Sequence, residues 1–311
     1  MDLATFQLAA SVALNLAMAV VMGASLSGMA LRQAGSAWAA QHAAGLRSAA
    51  LGATGAAIAA SCLLLWLDAA YMAEVPLAEA GPAVITTLSA THHGFAWSIG
   101  IASLAAIALA SAALAWPRAG TVAAWARLLA IGAFLYSRSI VGHAGAGDGT
   151  GWAVAAEWTH LALASAWVGE VLVAGLLVLR TPASPAPGAM PDRAAYIQGL
   201  STIASIALAG IVATGVFSAW RGLGGIENAT GNPYATALLA KLALVACAAL
   251  LGGANRFLVM PGLLAGLRGH DDRAGRLDRR FAWILQLEAL VLAAVLVMAA
   301  ILSSTSPPTA A

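Results

Sequence analysis

Eight apolar stretches, each long enough to cross a bilayer, constrain this chain more than any other feature of its sequence. They lie near residues 5–31, 47–72, 83–116, 121–143, 152–180, 195–221, 233–260 and 281–303. A spanning helix needs about 20 mostly apolar residues, and hydrocarbon tolerates no unpaired backbone, so helices are the default. A strand reading fails, because the runs are rich in Ala and Leu, too long, and without two-residue alternation. Composition agrees: 61% of the 311 residues are hydrophobic and only 9% charged, against roughly a quarter charged in soluble domains. The expected fold is all-α, a polytopic membrane bundle of about eight transmembrane helices.

Several functions are excluded early. A net charge of +2 leaves no electrostatic basis for nucleic-acid binding. The phosphate-binding pattern GxxxxGK[ST] and the CxxC pair are both absent, so neither nucleotide-driven nor thiol redox chemistry is expected. Cys62 and Cys247 sit alone inside apolar runs and give no disulfide framework. No basic segment precedes the first stretch, which therefore does not read as a cleavable signal peptide. The longest polar connections, 181–194 and 262–280, are too short for a folded catalytic module, so no enzyme is expected.

Orientation follows from the basic residues. Arg32, Arg47, Arg118, Arg127, Arg180, Arg193, Arg256, Arg268, Arg273, Arg276, Arg279 and Arg280 fall in alternate connections, twelve of the 15 Lys and Arg. Arg138 and Arg221 are on the opposite side, and Lys241 lies within the seventh stretch. Both termini are thus expected on the outer, periplasmic side. Residues 1–194 form a first unit of five helices, 195–304 a second of three, and 305–311 a short tail. Trp66, Trp97, Trp152, Trp158 and Trp220 fall towards the outer boundary, and Trp116, Trp125 and Trp283 towards the inner one, as interfacial belts do.

Depth singles out the histidines. His42 and His270 fall in cytoplasmic connections and read as solvated. Counting about 20 residues outward from each cytoplasmic helix end brings His92, His93, His143 and His160 to one layer, together with Asp68, Met72 and Glu157. Helical rise is about 1.5 Å per residue, so small errors in the count shift depth little. Glu157 and His160 are three apart and share a helix face. His92 and His93 are about 100° apart, so one of them points inward. Imidazole suits copper, zinc, iron and nickel, and a carboxylate leans the set towards Cu(II), whereas thioethers lean towards Cu(I). Ligand imidazoles must be neutral, so binding should weaken below about pH 6.5. Against this stands the plain alternative that each histidine is a hydrogen-bonded packing residue.

Deeper in the spans lie Glu170, Lys241 and Glu288. Intramembrane ionisable groups are expensive and face a bundle interior. They form either a translocation path or structural pairs, with Arg256 and Asn255 as further partners. Met18 and Met22, with Met29 beyond, line one face of the first helix, either as a soft Cu(I) relay or as packing.

Particular motifs now carry a resemblance. Thr91-His92-His93-Gly94-Phe95-Ala96-Trp97, Gly142-His143-Ala144 and His160-Leu161 through Trp167-Val168-Gly169 are the first. Tyr196, Gly210 through Trp220, Tyr234 through Lys241, Asn255-Arg256 through Pro261 and Leu287-Glu288 follow. Together they resemble the copper resistance protein D (CopD) family of bacterial inner-membrane proteins, most clearly over about 195–304. Glu170 departs from the second glycine expected after Gly169. The resemblance implies copper resistance and homeostasis, with copper ion as cargo in an undecided oxidation state and a periplasmic CopC-type copper-binding protein as partner. It assigns the copper-site role to His92, His93, His143 and His160 only. Copper transport, most naturally uptake from the periplasm, is the favoured function. Two alternatives stay open: a b-type haem electron carrier with facing histidine ligands, and a non-transporting docking partner for the copper chaperone.

Overall fold

The apolar runs become helices, and polar side chains decide where each one starts and stops. A computed structural model describes residues 3–116, 118, 120–142, 151–180, 187–269 and 274–308; most of these are helical, with no strand among them. In chain order the helices are α1 (Leu3–Arg32), α2 (Ala37–Met72), α3 (Gly81–Ala90), α4 (His92–Ala113), α5 (Gly120–Ser139) and α6 (Gly151–Val173). Then come α7 (Ala189–Leu223), α8 (Pro233–Ala254), α9 (Met260–Gly269) and α10 (Ala274–Ser303). Among the described residues, eight helical segments are long and apolar enough to cross a membrane, with α6 running on to Val178 and α8 to Gly269.

Several boundaries differ from the apolar pattern. Ser36 caps α2, its hydroxyl accepting from the Ala39 amide at 3.2 Å, so the helix begins well before residue 47. His42 is consequently not in a loop: its ring stacks on Trp38 at 5.0 Å and its Nδ1 lies 2.8 Å from the Trp38 carbonyl. The stretch 83–116 is two helices rather than one. Thr91 breaks it, with extended backbone and a hydroxyl that accepts from the Gly94 amide at 3.0 Å, an N-cap that starts a new helix. α3 folds back onto α4, and a side chain at Gly94 would collide with the Thr87 carbonyl.

α8 passes into α9 through a π-helical turn at Asn255–Val259. Pro261 follows directly and has no amide to donate to Phe257, which is where a regular helix fails; the wider turn absorbs that loss. A second π turn, Ala174–Val178, ends α6, and Gln286 of α10 donates to its Gly175 carbonyl at 3.2 Å.

Two apolar clusters fill the bundle. One joins α1, α2, α6, α7, α8, α9 and α10; the other joins α1, α2, α4 and α5. α1 serves both, and it meets α6 where Gly23 faces Gly169 so closely that a side chain on either would strike the other helix's backbone. Small residues permit this approach, which supplies the van der Waals contact that holds helices together in lipid. α7 and α8 scarcely touch; α8 packs on α10 instead.

Alternating helix directions put the ends of α2, α5, α7 and α10 and the starts of α1, α4, α6 and α8 at one end, which is poor in arginine. The other end collects most of the arginines. Trp66, Trp152, Trp158 and Trp220 are exposed at the first end, and Trp116, Trp125 and Trp283 at the second, as amphipathic rings at two interfaces should be. Arg127 and Arg193 are not in the connections expected of them. They lie inside α5 and α7 at 2% and 1% exposure: Arg127 falls within the apolar stretch itself, and α7 begins before its stretch. Arg193 Nη2 pairs with Asp278 Oδ1 of α10 at 2.9 Å.

The crossing makes a direct prediction. Gly169→Val should lower stability by about 1–3 kcal/mol through overpacking, read as a drop in thermal unfolding midpoint in detergent; an unchanged midpoint would contradict the α1–α6 approach.

Candidate functional site

At the arginine-poor end the Thr91 cap delivers His92 and His93 on the first turn of α4, and the two rings part company. His93 Nε2 lies 3.9 Å from Asp68 Oδ2 near the end of α2, with both side chains about one-third exposed, 33% and 31%. Gln7 of α1 donates from Nε2 to Asp68 Oδ1 at 2.9 Å. Arg138, at the end of α5, is within electrostatic reach of the same carboxylate. His92 turns the other way, its Nε2 3.4 Å from the Ile140 carbonyl and its ring 6.3 Å from Phe95. His93 is therefore the one of the pair that meets another sequence-predicted site residue. Met72, the last residue of α2, is exposed. His143 and His270 lie outside the described residues.

His160 belongs to a second group, on α6, α7 and α8. Its Nδ1 is 2.9 Å from Thr214 Oγ1, and that hydroxyl donates its single hydrogen to the Gly210 carbonyl at 2.7 Å. Thr214 must therefore accept from Nδ1–H, which leaves Nε2 of the neutral ring with the lone pair. Gly215 keeps the ring's flank open, since a Cβ there would sit 3.5 Å from His160 Cε1. Lys241 stands within electrostatic reach of both His160 and Glu157, and Tyr234 within reach of Glu157. Among the described residues, no three His, Cys, Asp or Glu side chains converge closely enough to hold a metal ion together. The expected layer is thus represented by two separate pairs, His93 with Asp68 and His160 with Thr214.

The deep residues are tied to neighbouring helices. Glu170, 1% exposed, accepts from Ser27 of α1 at 3.2 Å, and Ser27 also shares a 2.8 Å hydrogen bond with Tyr196 of α7. Glu288 of α10 accepts from the Trp167 indole of α6 at 3.1 Å. Asn255 donates to the Phe281 carbonyl at 3.1 Å, and Arg256 to the Ser201 carbonyl at 2.9 Å. Glu170, Lys241 and Glu288 form no ion pair with one another among the described residues. Met18 and Met22 are buried in the α1, α2, α4 and α5 cluster. Two partners escaped the sequence reading: Gln7, whose only signal was a polar residue at the height of Asp68, and the buried Arg193–Asp278 pair.

The motif residues now have physical tasks. Thr91, Gly94 and Trp97 cap α4, admit α3 and tie α4 to α2, Trp97 Nε1 donating to the Ser61 carbonyl at 3.1 Å. Trp167, Gly169 and Glu170 join α6 to α10 and α1.

A bundle of eight apolar spans, with imidazoles and a carboxylate gathered at one end, defines a multi-pass membrane protein. A family model described as Copper resistance protein D matches residues 194–302, and one described as Copper resistance protein D-like, N-terminal domain, matches residues 2–154. The two cover most of the chain, which belongs to the copper resistance protein D family, membrane proteins that reside in the bacterial inner membrane and serve copper resistance. Most of α6 falls in the interval between the two matched segments, and it packs on α1, α7 and α10. No curated protein and no solved structure matches the chain.

Replacing Trp167 by Phe should leave Glu288 without its donor and lower stability by about 1–3 kcal/mol, whereas Glu288→Gln, which keeps an acceptor, should cost less. Thermal unfolding in detergent compares them, and equal midpoints for the two variants would contradict this role.

Proposed function

We propose that the protein carries copper across the bacterial inner membrane, inward from the periplasm, as its part in copper resistance and homeostasis, and that it catalyses no covalent reaction. The observation that carries this reading is the His93–Asp68 pair. Its 3.9 Å separation is too long for a hydrogen bond. Neighbouring donors bonded at about 2 Å to one ion sit about 3 Å apart, so a shift of about 1 Å by these partly exposed side chains would bring the pair into one coordination shell. Imidazole and carboxylate are suitable copper donors, and their partial exposure leaves them reachable from the arginine-poor face. Gln7 fixes the carboxylate from behind, as outer partners of metal ligands do. His92 and His143 complete the capture set by family resemblance, with Met72 at its rim. His160, its Nε2 unprotonated, forms a second station beside Glu157.

Both termini then face the periplasm, and a CopC-type copper-binding protein delivers the ion to this face. From there the favoured route follows α6 past Glu170 and Glu288. The methionine face of α1 is the weaker route, because Met29 opens among Arg32, Arg47 and Arg127, which repel a cation. The membrane potential favours inward movement by about 2.3 kcal/mol per charge per 100 mV.

Proteoliposomes loaded with copper outside test the proposal. His93→Ala and Asp68→Asn should each reduce uptake at least about tenfold, and Arg138→Gln, which removes a competing cation from Asp68, should raise copper affinity. Uptake and affinity unchanged in all three would sink the site. Copper binding without flux would favour the docking partner, and a Soret band in the purified protein the haem carrier.

A further inference from the structure

We propose that the arginine-rich end carries a second site, for a phosphate-bearing anion, in a cavity where α1, α2 and α5 meet. The cavity holds about 220 Å³ and is lined by Arg32, Arg47 and Arg127 among small residues that include Gly28 and Ala43. No acidic residue lines it. Among the described residues, none of the three arginines takes part in an ion pair. This proposal does not depend on the route or direction of copper.

Arg127 makes the strongest demand for a ligand. It is 2% exposed, and its Nε has no hydrogen-bond partner. A buried guanidinium without acceptors is expensive, and Arg32 adds repulsion rather than relief. Elsewhere in this protein a buried arginine has its counter-charge within the fold: Arg193 meets the Asp278 carboxylate and the Leu179 carbonyl, with only its Nη1 left without a partner. Arg127 has no such partner and faces open space instead. Gly28 helps to shape that space, since a Cβ there would already touch Arg127 Nη2 at 3.7 Å. Arg32 is seated against Gly120, where any side chain would collide with it. The result is three forked donors around one polar hollow, the chemistry that binds phosphate oxygens bidentately. Basic pockets between helices at the cytoplasmic surface bind anionic headgroups, and a free phosphate offers the same oxygens.

Native mass spectrometry of the delipidated full-length protein tests this, with phosphatidylglycerol, phosphatidylcholine and inorganic phosphate as separate probes. Arg276, exposed on α10, provides a charge-matched control. Wild type and Arg276→Gln should retain phosphatidylglycerol over phosphatidylcholine, and Arg127→Gln should weaken that retention at least about tenfold, as loss of a charge-assisted contact implies. If Arg127→Gln does not fold, Arg47→Gln, half-buried at the same cavity, carries the same expectation. Retention of phosphatidylglycerol that inorganic phosphate does not displace identifies a lipid headgroup. Binding of inorganic phosphate alone, with the same dependence on Arg127, supports the site with a soluble anion as its ligand. Equal binding of every probe by wild type, Arg127→Gln, Arg47→Gln and Arg276→Gln would overturn the proposal.

Discussion

Apolar burial does not choose one helix pairing over another when the solvent is itself hydrocarbon, because leucine packs as well against lipid as against leucine. Close approach at small residues and hydrogen bonds between spans make the choice. Here the decisive approach is Gly23 against Gly169. It brings Ser27 of α1 to Glu170 of α6, and Ser27 in turn meets Tyr196 of α7. Two residues before Gly169 on α6, Trp167 reaches Glu288 of α10. One crossing therefore sets the positions of α1, α7 and α10 around α6, the helix that also carries His160.

The same logic shapes both ends of the bundle. At the arginine-poor end, polar groups are arranged in partly exposed pairs, His93 with Asp68 and His160 with Thr214, each backed by a third residue: Gln7 donates to Asp68, and Thr214 is itself anchored to the Gly210 carbonyl. At the opposite end, positive charges converge without counter-charges around a hollow. A cation is favoured at one end and opposed at the other side of α1, which argues for passage along the carboxylates beside α6. The buried Arg193–Asp278 pair lies apart from that hollow. Breaking one partner of such a pair is destabilising, although the intact pair contributes modestly.

The approach of His93 to Asp68 was legible in the sequence as a shared height along two helices; azimuth was not. Counting residues from the helix ends, at constant helical rise, assigns Asp68, His92, His93 and His160 one layer, and of these the structure brings His93 to Asp68. Their division into two groups depends on how each helix is rotated about its axis, and near-uniform apolarity gives no periodic signal to read that rotation from. The span count was legible for the same reason of length. The Thr91 break carries little sequence signal: Thr is a favoured N-cap residue, but no Glu or Gln follows three residues on to complete a capping box. Arg193 looked like a loop charge because its partner, Asp278, lies 85 residues away. Glu170, which departs from the expected glycine, turns out to be held by Ser27, a contact that only the α1–α6 crossing creates.

The central claim is that copper is captured between His93 and Asp68, and X-ray absorption at the copper edge of the loaded protein tests it most directly. The account predicts an inner shell of imidazole nitrogen and carboxylate oxygen whose imidazole scattering diminishes in His93→Ala. A shell made only of sulfur, or a spectrum indifferent to that substitution, would contradict it.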